Sequence, residues 1–571
     1  MLLFTSPLMA QSPLRVAQKT DHAVLEHDLM DKDLMEVTVD RLHEFYRQHR
    51  YKVTQVVQWH LDRIARYNGI YRAVQTVNAR AALIDAERED TEAKQSGFRP
   101  SPLWGVPIVT KANTSVKGLI TTDGWRGYIL SGHELIAPRD ATVVAKLRAA
   151  GAIIIGVTNM PDFAASDTNR STAFGRTGNA YDVRFSPGGS SGGTVTAVTS
   201  NFAVLGNGTD TGNSIRMPVA TSNLVGIFPT RGLVSLAGIA PLDWQLDNTG
   251  PIARDVADAA IALTVMAGLD PLDPATAGSQ DKAQPGPYSQ YLKPGALNGK
   301  RFAVPAFILD GDSPVFQGVC PNATAAQLAK AQQESITPLH PETRAAFLKA
   351  VKELEAAGAT VLIDRQILPD SFADAASHIC TLPYIREGTD KFLAGFGPAQ
   401  YHSSVEYEHA VGKPLPEVVI GGEHTGMFAA VDIQQTALET DPQAEITLLR
   451  PRCELLARYE AELDRLHLEG FVYPAIQMPP VDETMPQDGR LSEGPHSATD
   501  WVNMLGVPAI SFPAGFYDNG LPFGIEISTR KWHDGDMIGW AYDYELHTHH
   551  RQPPVLVDRG LLPNAAQPPT P

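Results

Sequence analysis

Twice the chain runs from a helix through two alanines and a glycine into an apolar strand. Leu147-Arg-Ala-Ala-Gly-Ala-Ile-Ile-Ile can be laid beside Leu354-Glu-Ala-Ala-Gly-Ala-Thr-Val-Leu. A helix that must turn sharply into a strand wants glycine just past its last residue, where left-handed backbone costs least. The recurrence needs only that loop requirement, not a duplicated ancestor. The run Ile153-Ile154-Ile155 does not alternate with polar residues, so it suits a strand covered on both faces. Helices alternating with such strands predict an α/β layered sheet. Other segments fit. Val57, Leu61 and Ile64 recur at helical spacing, with Thr54 placed to cap the start. Gly105-Val-Pro-Ile-Val-Thr-Lys111 reads as a short apolar strand that ends on a lysine. Asp140 is placed to cap a helix that turns Val143, Val144 and Leu147 inward, and Gly151 stops it. Leu448, Leu449, Leu455, Leu456, Tyr459 and Leu463 mark a helix within 445–468. Val472–Ile476 and Val507–Phe512 read as further strands.

The punctuation between these elements does not divide the chain. Residues 268–300, rich in Pro, Asp and Gly, read as a surface connection rather than a domain break. Within 306–340 the only pattern is a polar helical stretch from Ala325 to Glu334, as in an insertion over a pocket. We therefore expect one domain over residues 31–560. Residues 1–30 form a tail or signal remnant and 561–571 a Pro-rich tail. Met1–Ala10 is apolar, but it lacks the basic start and the length of a secretory signal. A soluble, cytoplasmic protein is expected over a secreted one, and the sequons at Asn113, Asn169, Asn207 and Asn322 are read as chance.

Charge and cysteine usage narrow the partners. The formal net charge is -17, from 64 acidic and 47 basic residues, with no long Lys/Arg run. A phosphate backbone would be repelled by that field, so nucleic acid is excluded as a primary partner. No window reaches the ~18 apolar residues of a membrane span. The three cysteines, Cys320, Cys380 and Cys453, are odd in number, far apart and without metal spacing. They read as inert thiols. His547, His549 and His550 lack the carboxylate spacing of a metal site, so no metal is expected.

The segment that carries chemistry is Ser186-Pro-Gly-Gly-Ser-Ser-Gly-Gly193, followed after a helical run by Gly208-Thr-Asp-Thr-Gly-Asn-Ser-Ile-Arg-Met-Pro218. Glycines let backbone approach a ligand closely, and successive free N–H groups form a nest for negative charge. Acyl transfer needs such a nest, because the carbonyl oxygen becomes anionic at the tetrahedral stage. A serine hydroxyl is a poor nucleophile until a base takes its proton. No histidine lies near either half. A lysine can serve where burial lowers its pKa, and Lys111, at the end of an apolar strand, is the candidate. Ser190 and Ser191 each satisfy Gly-x-Ser-x-Gly, but a nucleophile elbow follows a strand directly, and Ser186-Pro187 is a poor strand end.

The two halves together resemble the amidase signature family, whose motif reads G-G-S-S-G-G, a spacer, then G-T-D-x-G-G-S-I-R-x-P. Gly105–Lys111 is similar to the family's G-V-P-x-x-x-K-D, and Gly156-Val-Thr-Asn-Met-Pro-Asp-Phe163 to its G-K-T-N-M-P-E-F. Pro229–Ser235, Asn248–Arg254, Asn503–Gly515 and Thr548–Pro554 match in kind, so the likeness runs from about residue 54 to 554. The resemblance implies a single large α/β/α sandwich around a twisted, mostly parallel mixed sheet. Its core motifs would lie in 105–254, and its variable, substrate-side regions in 306–340 and 385–450. It implies Lys111 as base, Ser190 as proton relay after a cis bond from Gly189, and Ser214 as nucleophile. The backbone N–H groups of Thr211, Gly212, Asn213 and Ser214 would form the oxyanion hole. Ser191, Asp210 and Arg216 would support the loops, Arg216 by pinning the turn to a carboxylate. Asn213 stands where the family commonly has glycine, and Ala112 where it commonly has aspartate.

The expected activity is cofactor-independent hydrolysis of a linear carboxylic amide through an acyl-enzyme. Carbamate or ester cleavage, an amidotransferase subunit needing a partner, and a non-catalytic binding protein stay open. The expected partner is a small-molecule amide, with a medium apolar or aryl group; a homodimer is compatible with the sequence.

Overall fold

The computed structural model describes residues 29–310, 338–421, 434–484 and 497–554. Most of both expected tails, the Ala325–Glu334 stretch, Cys320 and the sequon at Asn322 lie outside them.

One mixed sheet organises the molecule. Its strands are β1 (Val74–Val77), β2 (Val106–Lys111), β3 (Ala152–Thr158), β6 (Leu205–Asp210), β7 (Val225–Phe228), β8 (Asn248–Ala253), β9 (Arg301–Ala303), β10 (Thr360–Leu362), β11 (Gly470–Pro474), β12 (Ala509–Phe516) and β13 (Pro522–Thr529). The spatial order is β1-β3-β2-β6-β8-β7-β12-β13-β11-β9-β10. A separate two-residue pair, β4 (Arg170–Ser171) and β5 (Gly175–Arg176), lies apart from it. Parallel pairings sit in two blocks, β3-β2-β6 and β11-β9-β10. Between the blocks the neighbours run antiparallel.

Helices cover the sheet, as the alternating pattern requires. Every residue of β2, β3 and β6 is buried, which accounts for their unbroken apolar runs. Both helix–glycine–strand units are present. The helices Thr142–Ala149 and Pro341–Ala356 end just before Gly151 (φ 86°) and Gly358 (φ 99°), and β3 and β10 follow. The segment 268–300 carries short helical turns and packs Tyr288 and Leu297 into the main core. A second apolar cluster surrounds Trp501 and takes Leu448, Leu455, Tyr459 and Leu463 from the 445–466 helical segment. A third joins Tyr128 and Phe163 to Phe392, Phe396, Tyr401 and Tyr407 of the variable region.

Three local expectations fail. The helix Val53–Tyr71 starts after Lys52, and Thr54 is not its cap; its hydroxyl donates to Asp90 Oδ2 at 2.7 Å. The helix at 142 starts after Ala141, and Asp140 instead accepts from the Lys117 N–H and pairs with Arg148. Both side chains find a distant partner in place of the adjacent helix end. Cys380 is disulfide-bonded, whereas Cys453 is a free, exposed thiol. Wide separation in sequence argues against a bridge, but bridging depends on distance in space. Asn113, Asn169 and Asn207 are buried, so these sequons are not surface acceptors. Among the described residues no helix is long and apolar enough to cross a membrane.

Candidate active site

Three neighbouring parallel strands, β3, β2 and β6, run in one direction and end at the same edge. Their last residues are Thr158, Lys111 and Asp210. In open α/β sheets the crevice outside the carboxyl ends of the strands is where ligands bind. Lys111, at the end of the middle strand, has no exposed surface. Its Nζ donates to Ser190 Oγ at 2.7 Å, to Thr209 Oγ1 at 2.8 Å and to the Thr209 carbonyl at 3.2 Å. Burial pushes its pKa down to about 7, while Asp123, Asp210 and Asp247 pull the other way. Loss of water penalises the ammonium more than these carboxyls stabilise it.

The serine loop is carried over this edge by the helix Gly192–Thr199, which packs on β6 and β2. Its glycines are steric necessities. A Cβ at Gly193 would lie 2.2 Å from the Asn159 carbonyl oxygen, and one at Gly189 would lie 2.4 Å from that of Ser166. The Gly189–Ser190 peptide bond is cis. Ser191 Oγ donates to the Thr209 carbonyl at 3.2 Å, and its N–H donates to the Ser214 carbonyl at 3.2 Å. Those bonds hold the two glycine-rich halves together.

Ser214 lies in the turn that leaves β6 and is 6% exposed. Its hydroxyl has no hydrogen-bond partner among the described residues. Nor do the N–H groups of Gly212, Asn213 and Ser214. Gly212 and Asn213 are partly open to solvent and Ser214 is buried, and successive N–H groups without a protein acceptor can form a nest for an anion. Thr211 donates from its hydroxyl to Asp247 Oδ1 at 2.5 Å. Asn213 sends its amide to Asp167 Oδ1 at 3.2 Å.

A buried ionic network holds this turn. Asp210 accepts from the N–H groups of Ile215 and Arg216 and from the Arg216 guanidinium. Arg216, wholly buried, also donates to Glu526 at 2.7 Å, to Asn503 Oδ1 at 2.5 Å and to the Gly212 carbonyl at 2.7 Å. Burial alone would raise the Asp210 pKa, and Arg216 more than offsets this, so the carboxyl is held below its ordinary range. The expectation that Arg216 pins the turn to a carboxylate thus has two carboxylates in place of one.

The structure also brings in groups that sequence reasoning missed. Thr209 and Asn113 surround Lys111, Asn113 donating to Thr209 Oγ1 at 3.0 Å. Asp123 is 2% exposed, and its Oδ1 has no hydrogen-bond partner among the described residues. Its N–H donates to the carbonyl of Ala112, the position where the family commonly has aspartate, at 3.1 Å. Thr209 lies inside the glycine-rich motif and is open to recognition there. Asp123 lies in a Thr-Thr-Asp-Gly stretch that carries no pattern of its own. The histidines of 547–550 lie elsewhere, His547 against the Asp543 carbonyl and His550 against Glu353. Among the described residues no group of three His, Cys, Asp or Glu is arranged to hold a metal.

Comparison with known proteins places this geometry. The family model described as Amidase matches residues 55–538. A glutamyl-tRNA(Gln) amidotransferase subunit from Symbiobacterium thermophilum is 31% identical over 542 residues, covering 91% of this chain and 99% of the relative. The corresponding subunit from Exiguobacterium sibiricum is 31% identical over 527 residues, with 90% and 98% covered. Among solved structures, the native peptide amidase of Stenotrophomonas maltophilia is 28% identical with a TM-score of 0.68, covering 91% of this chain and 98% of that one. The peptide amidase bound to chymostatin gives a TM-score of 0.71 at 28% identity, with 91% and 99% covered. The 6-aminohexanoate cyclic dimer hydrolase shares the fold, with a TM-score of 0.64 at 23% identity and 94% and 99% covered. The family match spans most of the chain and includes every motif at the strand edge: this protein belongs to the amidase family.

Proposed function

We propose that the chain hydrolyses a linear carboxylic amide through an acyl-enzyme, with Ser214 as nucleophile, Ser190 as relay and Lys111 as base. One observation carries the reading: a fully buried lysine whose Nζ lies 2.7 Å from the hydroxyl of Ser190. Neutral Lys111 takes the Ser190 proton as Ser190 takes that of Ser214. The Ser214 oxygen attacks the amide carbon. The resulting oxyanion is held by N–H groups from the 211–214 turn, three of which have no other acceptor among the described residues. Donors fixed in advance at the place where charge develops give large rate effects, about 10²–10³-fold for a single donor. Ser190 then returns a proton to the departing amine, and water releases the acid. Every group in this sequence comes from the chain, so the reading calls for no cofactor. Esters and carbamates pass through the same tetrahedral stage and are secondary substrates on this reading.

A second reading has its own support. The curated relatives at 31% identity are named amidotransferase subunits and are covered almost end to end. On that reading the same triad would release ammonia for a partner. The isolated chain, assayed on matched anilide, primary-amide, carbamate and ester substrates and on glutamine, separates the two. Turnover of simple amides without a partner supports the hydrolase. Activity that emerges only with a partner protein present supports the amidotransferase. Inertness under both conditions, with Ser214 unreactive, would mean a binding protein.

A further inference from the structure

The motif Pro229-Thr-Arg-Gly-Leu-Val-Ser235 takes no part in the chemistry above; its one cation is Arg231, and around it the fold gathers two more. Arg231 follows β7 and donates to the carbonyls of Trp244 and Asp247. Arg452 donates to the next carbonyl of that turn, Gln245, at 3.2 Å. Lys531 comes from the segment after β13. A Cβ built on Gly506 would lie 3.5 Å from Lys531 Nζ and 3.7 Å from Arg231 Cδ, so these two side chains share the space above that glycine. All three cations are partly open to solvent.

What sets the cluster apart is that no carboxylate among the described residues touches its cations. Among the described residues none of the three forms an ion pair, and Lys531 makes no hydrogen bond. Arg452 Nε is buried without an acceptor among the described residues. Several acids stand nearby, namely Asp243, Asp247, Asp273 and Glu460. Three of them act on the cluster from a distance, their carboxyl oxygens being turned to other donors: Asp243 to Thr381 and the Gln245 N–H, Asp247 to Thr211, and Asp273 to the N–H groups of Leu236 and Ala275. Burial, with Arg452 and Arg231 adding to it, pushes Lys531 down to about 8. Burial, with Arg231 adding to it, pushes Arg452 down to about 10. A half-desolvated group of like charges is unfavourable until a counter-charge enters. That such a group persists on a chain of net charge -17 makes it a local exception.

We propose that Arg231, Arg452 and Lys531 form a binding site for a small oxyanion of the phosphate class, separate from the amide-cleaving centre. Guanidinium groups present N–H forks that match phosphate oxygens, and an ammonium adds a compact point charge. Three cations call for a dianion rather than a monoanion, which favours phosphate over a simple carboxylate. The site lies close to the catalytic turn, because Asp247 gives its carbonyl to Arg231 and its carboxyl to Thr211.

The test is isothermal titration of the full chain with inorganic phosphate at low ionic strength. Phenyl phosphate and acetate serve as comparison ligands. The expected result is saturable binding of one phosphate per chain. It weakens as chloride rises, and at least tenfold in Lys531→Met and in Arg452→Met. Phenyl phosphate binding at least as tightly as inorganic phosphate would identify a phosphomonoester site. Much weaker binding would identify a site for free phosphate; either outcome keeps the oxyanion assignment. At pH 8 binding also takes up protons, read from titrations in buffers of different ionisation heat, so the test stands even where a variant fails to fold. The proposal is overturned if phosphate gives no heat above dilution, if both variants bind like the unmodified chain, if no proton is taken up, or if acetate binds as tightly as phosphate.

Discussion

Replacing Lys111 by alanine tests the mechanism at its base. Burial brings this lysine from 10.5 to about 7. At pH 7 about half of the molecules then hold it neutral, against roughly one in 3,000 for an ordinary lysine. The fold thus multiplies the available base by about 10³ at neutral pH. In the unmodified chain kcat/KM on an anilide substrate should rise about tenfold per pH unit below pH 6 and level off above pH 8. Lys111→Ala removes the proton acceptor and should lower kcat/KM by about 10²- to 10⁴-fold, the range for general-base catalysis. The acidic limb near pH 7 should vanish with it. The assay is anilide release from pH 5 to 10 with both proteins. Three outcomes would refute the reasoning: a variant within tenfold of the parent, a limb near pH 7 that survives the substitution, or a parental limb near pH 10. The same shift governs stability. Since the folded pKa lies below the unfolded one, the unfolded chain binds more protons between about pH 7 and 10.5, and stability rises with pH across that window. Lys111→Met abolishes that slope, so denaturant titrations should find its stability relative to the parent greatest below pH 7, declining as pH approaches 10.5.

Four further outcomes are expected. Ser214→Ala should abolish covalent labelling by a fluorophosphonate, read by intact mass, while Ser191→Ala remains labelled. Arg216→Met strands Asp210 and Glu526 without their partner and should cost about 3–5 kcal/mol, measured by urea unfolding, with activity lost in parallel. Gly193→Ala forces a methyl against the Asn159 carbonyl and should cost about 1–3 kcal/mol, seen as a lowered melting temperature. Asn213→Gly removes only the bond to Asp167 and leaves the backbone N–H in place, so kcat should stay within about tenfold of the parent.

The layered α/β plan was legible because it rests on local rules. Ile153–Ile155 and Gly151 declare a buried strand and the turn before it without reference to anything distant. Lys111 and Ser190, which the fold brings within 2.7 Å, could be singled out for a different reason: a lysine closing an apolar strand and serines set among glycines are uncommon local combinations. What escaped depends on long-range contact. Thr54 and Asp140 have the chemistry of helix caps, but Asp90 and Arg148 compete for them. Asp123 reaches the site through a turn without a pattern of its own. The bridge at Cys380 had no spacing to announce it.

The buried Arg216 network has a consequence for how the molecule comes into being. The turn bearing Ser214 is clamped by Asn503 and Glu526, which lie 287 and 310 positions after Arg216 in the chain. During synthesis the serine and lysine emerge from the ribosome long before the residues that lock the turn. A nascent polypeptide lacking its final strand pair would carry Lys111, Ser190 and Ser214, the three side chains of the proposed mechanism, and yet lack the clamp. Such a chain should stay silent toward amides until translation has passed residue 526.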